Sequence, residues 1–218
     1  MKKICVLLFI ILGLAQIALA DVMPYYVNSL RRYGIGFTNI TSPLVLRKLP
    51  NDDADILETI NFDFKTEETT CLVNTSNCAT EQVFSAFSPK HKIALMTTLD
   101  ESENWSFVCF NQNERPTCGW AKEDTNKFYN WTDFFNTFGK KYGLYLFKDL
   151  QKKDRILYAA PVHQSNATGS IELPRMITPW LVSGNWILVK VYDYNNQNKT
   201  GWLNFRDNYG KLKVFVKF

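Results

Sequence analysis

The side chains that could carry chemistry in this chain are few, and their spacing limits what they can do. Beyond Cys5 there are four cysteines, Cys71, Cys78, Cys109 and Cys118, and the chain has two histidines, His91 and His163. A nucleophilic Cys–His pair needs a free, activated thiol beside a histidine. An even cysteine count instead favours two local disulfides, Cys71–Cys78 and Cys109–Cys118, among the three possible connectivities, which leaves no thiol to activate. The Cys71-to-Cys78 spacing matches neither a zinc knuckle nor a redox Cys-x-x-Cys motif. Asp52, Asp53 and Asp55 have the donors for calcium, but such clusters more often solvate a turn. Gly-x-Ser-x-Gly and phosphate-cradling loops are absent from the sequence. The reading is therefore of a protein with no catalytic residue, no cofactor and no metal.

Rigid aromatic side chains are the richer resource, because they give contact area at low entropic cost. Trp120, Trp180, Tyr192, Tyr194 and Trp202 are the candidates for a ligand-binding groove, with His163 joining them from the polar loop AAPVHQSNATGS. Trp105 and Trp186 are read as core. The competing reading makes all of them packing between units.

These side chains must be positioned by a chain that begins with an export signal. Lys2 and Lys3 precede an apolar run from Cys5 to Ile17, and Ala18-Leu19-Ala20 provides a small-residue cleavage site before Asp21. Residues 1–20 are thus expected to leave as a signal peptide, sending the rest to the periplasm or beyond. Its removal lowers the net charge from +4 to +2. The remaining basic residues are scattered, which argues against nucleic acid. No second apolar segment is long enough to span a bilayer. The short Lys-Lys leader and the Asn- and Lys-rich composition point to a bacterium.

Strand signals dominate. Pro43–Leu49, Lys92–Leu99, Ile187–Tyr194 and Leu212–Phe218 are short, rich in β-branched and aromatic residues, and bounded by turn formers. Thr132–Lys140 reads as a helix capped by Thr132 and ended near Gly139, and Thr80–Phe87 as a weaker one.

An internal repeat organises these elements. Asn104-Trp105 to Gly119-Trp120 and Asn185-Trp186 to Gly201-Trp202 each read as a hairpin, the first with Cys109 and Cys118 flanking its tip, the second with Asn195, Asn196 and Asn198 there. Upstream, LVLRKLP ending at Pro50 matches ILYAAP ending at Pro161. Downstream, Tyr142-Gly143 before LYLF matches Tyr209-Gly210, each before a last strand. The offsets are 111, 81 and 67, so the first copy should carry two insertions, of about 30 and about 14 residues. The division that follows is an N-terminal segment 21–39, a first unit 40–150 and a second 151–218.

The pattern L-x-V-R-x-x-P followed by W-x-x-V and G-W resembles the bacterial SH3 (SH3b) domain family. Leu44 to Pro50 with Trp105, Val108, Gly119 and Trp120 resembles one copy. Trp186, Val189, Gly201 and Trp202 resemble a second, whose upstream strand lacks the arginine. The resemblance implies a mostly β protein of two small SH3-like β-barrels in tandem, the first enlarged by insertions containing short helices. It further implies non-catalytic binding in the envelope, to peptidoglycan or to a peptide segment of an envelope partner. An assembly protein with its aromatic faces buried in contacts is the alternative, and a cell-wall hydrolase a more distant one.

Overall fold

The computed structural model describes residues 33–41, 43–73, 79–112, 115–124, 126–147, 149–172, 174–194 and 198–218. The expected signal peptide, the expected Ala20–Asp21 cleavage point, most of the 21–39 segment, Cys78, Asn195 and Asn196 lie outside the described residues.

The fold is mostly β, in two antiparallel sheets. The first contains β1 (Gly36–Asn39), β2 (Leu44–Arg47), β3 (Ile56–Phe62), β4 (Thr69–Cys71), β5 (Ala86–Ser88), β6 (Ile93–Ser102), β7 (Trp105–Gln112), β8 (Arg115–Lys122) and β9 (Lys127–Asn130). The second contains β10 (Leu144–Leu146), β11 (Ile156–Tyr158), β12 (Ala167–Ser170), β13 (Pro174–Ser183), β14 (Trp186–Asp193), β15 (Asn198–Asn204) and β16 (Val214–Val216). Their orders are β4-β3-β2-β8-β7-β6-β1-β9, with β5 beside β6, and β12-β11-β15-β14-β13-β10-β16. The expected barrels are present only as sheets: neither closes on itself among the described residues.

Without β4 and β5 the two orders are the same, strand for strand. The elements between β3 and β6, which are β4, a one-turn helix α1 (Thr80–Val83), β5 and a 3-10 turn (Pro89–His91), have no counterpart between β12 and β13. They form the first expected insertion. Only the start of the expected 80–87 helix is helical, because Ala86–Ser88 is drawn into pairing with β6.

The second expected insertion is something else. Leu144–Leu146, read as the last strand of the first unit, pairs with β13 and β16 in the second sheet, where it takes the place that β1 has in the first. The strand that ends the first sheet is β9, paired with β1 from Gly36–Asn130 to Asn39–Lys127. Sheet membership therefore changes between Asn130 and Leu144, not at 150/151. The Tyr-Gly match is a coincidence with a physical origin. Gly143 (φ 78°) and Gly210 (φ 84°) both reverse the chain in a left-handed conformation that glycine adopts freely.

The residues between the sheets are helical: α2 (Trp131–Phe134) runs through a π-turn (Phe135–Gly139) into α3 (Lys140–Tyr142). Its cap is Asn130, not Thr132; the Asn130 side chain accepts from the Asp133 N–H at 2.9 Å. Gly139 lies inside the helix rather than at its end, and a Cβ there would approach the Pro179 ring to 2.9 Å.

Two cores result. One fills the first unit around Leu44, Leu46, Ile60, Phe84, Met96 and Val108. The other collects the helical residues Trp131, Phe134, Phe135 and Phe138 between Phe37 and Leu95 of the first sheet and Ile187, Leu203, Phe205 and Phe215 of the second. Strand β6 therefore buries both faces, which explains its unbroken run of buried residues from Ile93 to Thr98.

Candidate functional site

A short polar loop follows the second strand of each sheet, and the two loops have the same backbone. In the first, the N–H of Lys48 donates to Asp55 O at 3.0 Å, Asn51 to Leu49 O at 2.9 Å and Ala54 to Asn51 O at 3.4 Å. In the second, Ala159 donates to Asn166 O at 2.9 Å, Val162 to Ala160 O at 2.8 Å and Ser165 to Val162 O at 3.2 Å. Both pairs of flanking strands also slip register at the same place, Leu46/Arg47 and Leu157/Tyr158. The offset of 111 between the prolines thus holds through the loop, and it places Asp52 and His163 at equivalent tips.

Opposite each tip stands a tryptophan that starts a hairpin strand. Trp105 follows the two-residue turn Glu103-Asn104, and Trp186 the turn Gly184-Asn185; Glu103 (φ 51°) and Gly184 (φ 55°) share a left-handed backbone. The third wall is the end of the next strand, Lys122 in β8 across from Trp105 and Asn204 in β15 across from Trp186. What holds the wall close is the glycine of each Gly-Trp pair. A Cβ on Gly119 would stand 3.0 Å from Leu46 Cβ, and one on Gly201 would stand 2.8 Å from Leu157 Cβ. A side chain at either position would push the loop-bearing strand away.

The same frame is filled differently. In the first cleft the Lys122 ammonium bonds Asp52 on the loop tip at 2.7 Å, lies 3.4 Å from Asp124 and sits 5.8 Å from the Trp105 ring centre. The bond to Asp52 is the main cause holding the Lys122 pKa above its ordinary value. The cleft is bridged across its mouth.

In the second cleft no ion pair joins loop to strand among the described residues. The loop closes on itself, Ser165 Oγ accepting from the Ala160 N–H and donating to its carbonyl, both at 3.1 Å. His163 rests edge-on against Trp186, with ring centres 4.7 Å apart, and Tyr158 completes the trio at 5.4 Å from Trp186. Beneath them Lys213 donates to Asn204 Oδ1 at 2.7 Å and pairs with Asp154 at 3.0 Å. Two adjoining cavities of about 390 and 220 Å3 open here, sharing Lys153, Asp154, His163, Asn204 and Lys213. A mostly buried ion pair at the base and an aromatic wall above suit a ligand with both amide or charged groups and an apolar part.

Of the residues expected to bind, His163 alone lies in this cleft. Trp202 is one rung away, paired with Tyr158 and Leu188 on the outward face of the sheet. Trp120 has the matching place in the first sheet, paired with Arg47 and tilted against Phe107 with ring centres 5.1 Å apart. Trp180 (51 % exposed) sits at the β13 bulge, Tyr194 (71 % exposed) at the end of β14, and Tyr192 lines a separate cavity. Tyr158, which lines the smaller cavity, was missed. Trp186, read as core, is buried and lines neither cavity; it supports His163 from below.

The Cys109–Cys118 disulfide is formed, joining residues directly opposite in the β7/β8 hairpin. Cys71 is also disulfide-bonded. Among the described residues no three His, Cys, Asp or Glu side chains converge as a metal site, and no helix is long and apolar enough to cross a membrane. No family model, curated protein or solved structure matches the chain.

Proposed function

We propose that this is a non-catalytic binding protein of the bacterial envelope, exported by its leader, built from two divergent SH3-like units, and that the second unit holds the ligand cleft. The ligand is peptidoglycan or a peptide segment of an envelope partner. One observation carries the reading. The same loop, turn and strand form a cleft twice, and the cleft that is bridged by Lys122 and Asp52 in the first unit is left open in the second, over an aromatic wall. Stem peptides offer the amides, carboxylates and small apolar side chains that such a wall and ion pair complement.

Tryptophan fluorescence titrated with muropeptides tests this, with His163→Asp/Asn204→Lys installing the bridge of the first unit in the second. Saturable binding by the native chain, lost in that variant, supports the reading. Absence of saturation with both muropeptides and a panel of envelope peptides sinks it.

Trp180 and Leu181, both more than half exposed on β13, favour a second reading, an assembly role in which this face is covered by a partner. Sedimentation separates the two: a monomer retained on purified sacculi fits binding, and an oligomer that ignores them fits assembly.

A further inference from the structure

A further difference between the two sheets lies away from the clefts. In the first sheet β1 and β6 pair continuously from Gly36–Thr98 to Asn39–Leu95. Their counterparts β10 and β13 meet at Leu144–Ile177 alone, and β13 is irregular between Pro174 and Met176. That irregularity is a bulge against β14, where Pro174 faces Asp193 and Met176 faces Tyr192. Beside it, at the Leu144 end of β10, lies a cavity of about 560 Å3. Its size falls within the range of about 300–1,000 Å3 typical of small-molecule sites.

The walls are apolar and aromatic: Tyr142, Leu144, Met176, Tyr192 and Phe218. Met176 is 47 % exposed, an unbranched and adaptable side chain left without a full set of neighbours. Among the described residues, the charged side chains around it have one sign. Lys217 lines the cavity, and Lys141 and Lys190 each lie 4.9 Å from the ring centre of a wall tyrosine, Tyr142 and Tyr192. Among the described residues no side-chain carboxylate lines the cavity, and Asp193, the acidic residue next to Tyr192, is paired with Lys199 at 3.5 Å.

We propose that this cavity binds a free, single-chain anionic amphiphile, its apolar chain between Met176, Leu144 and the aromatic walls and its carboxylate at the lysine rim. Charge complementarity selects the anion. A cavity of about 560 Å3 takes one chain and cannot seat a bilayer surface. The site is independent of the His163 cleft, and it gives Tyr192 a role that the cleft does not.

The test uses the native chain with octanoate, decanoate and dodecanoate below their micelle concentrations, followed by calorimetry and by the Met176 methyl resonance. Binding should tighten roughly fourfold per added methylene until the cavity is full, with the Met176 methyl shifting in step. Met176→Glu should abolish binding, and Lys217→Glu, at an exposed position, should weaken decanoate by about fivefold while affecting decanol little. Muropeptide binding should be unchanged in both variants. Affinity independent of chain length, an unmoved Met176 methyl, or unaltered binding by Lys217→Glu each overturns the proposal. So does retention of the protein on phosphatidylglycerol vesicles without affinity for the free acids.

Discussion

The first and second sheets share a strand order, a loop hydrogen-bond pattern, a tryptophan after a left-handed turn and a glycine under the loop-bearing strand, yet they present different surfaces. Backbone features recur because each serves the frame: Gly119 and Gly201 admit the neighbouring strand, and Glu103 and Gly184 turn the hairpin. Rim residues diverge because the frame does not depend on them. His163 stands where Asp52 does, Asn204 where Lys122 does, and β10 and β13 pair at one position where β1 and β6 pair at four. Around the clefts, these two copies differ where a ligand would touch and agree where the strands touch.

The largest effect should come from removing what the two halves hold in common. Phe134 is fully buried, with Phe37 at 4.9 Å and Phe215 at 5.7 Å from its ring centre, one from each sheet. Phe134→Ala should cost about 3–5 kcal/mol and lower the urea midpoint of both sheets together. Separate transitions in that variant would break the picture of a shared core.

The disulfide is the next asymmetry. Cys109→Ser/Cys118→Ser releases a loop of nine-residue separation and should cost about 2.5 kcal/mol. Hydrogen exchange should rise in β7 and β8 while β14 and β15, which have no staple, keep their protection.

The paired glycines come third. Gly119→Ala and Gly201→Ala should each destabilise by about 1–3 kcal/mol, with Gly201→Ala the worse, because Thr168 Oγ1 also lies 2.7 Å from its Cβ site. Equal and negligible changes in Tm would show that the close strand approach is not needed.

A smaller effect is expected at the turns. Glu103→Gly should stabilise by up to about 1 kcal/mol, and Gly184→Glu should destabilise by the same order. Chemical denaturation of both variants would show whether the turns are equivalent.

Smallest of all are the pH effects of exposed ion pairs, confined to the first unit. The bond to Asp52 raises the Lys122 pKa, so its contribution is fully present below the ordinary value of 10.5 and is lost as pH rises through the higher folded value. Lys48, by its hydrogen bond and its charge, lowers the Asp55 pKa. That contribution is present above 3.8 and is lost as pH falls through the folded value. NMR titration of the two loops should show both transitions in residues 48–55 and neither pair in 159–166.

The hairpins and the loop were legible in the sequence because their information is local: Trp, an alternating run, a polar tip and Gly-Trp lie within twenty residues of one another. Sheet membership was not. LYLF and KFYN are both short strand-forming runs, and only pairing with chain far away decides that Leu144 joins Ile177 while Phe128 joins Thr38. The helical segment was found but its cap was misplaced, since Asn130 and Thr132 are both good caps and the burial of Trp131 decides between them. The cleft itself was half visible. His163 stood out as a loop histidine, whereas Tyr158 belongs to it only because the loop folds back over it.

The helix between the sheets also governs what happens under load. Phe37 of the first strand and Phe215 of the last lie 5.4 Å apart and clasp the same helical aromatics. A pull on either end of this stretch of chain is therefore delivered to one place, where both sheets are already tied. Tension would meet a single knot rather than two beads on a string, and a protein held at one end and gripping a ligand at the other would yield as one piece or not at all.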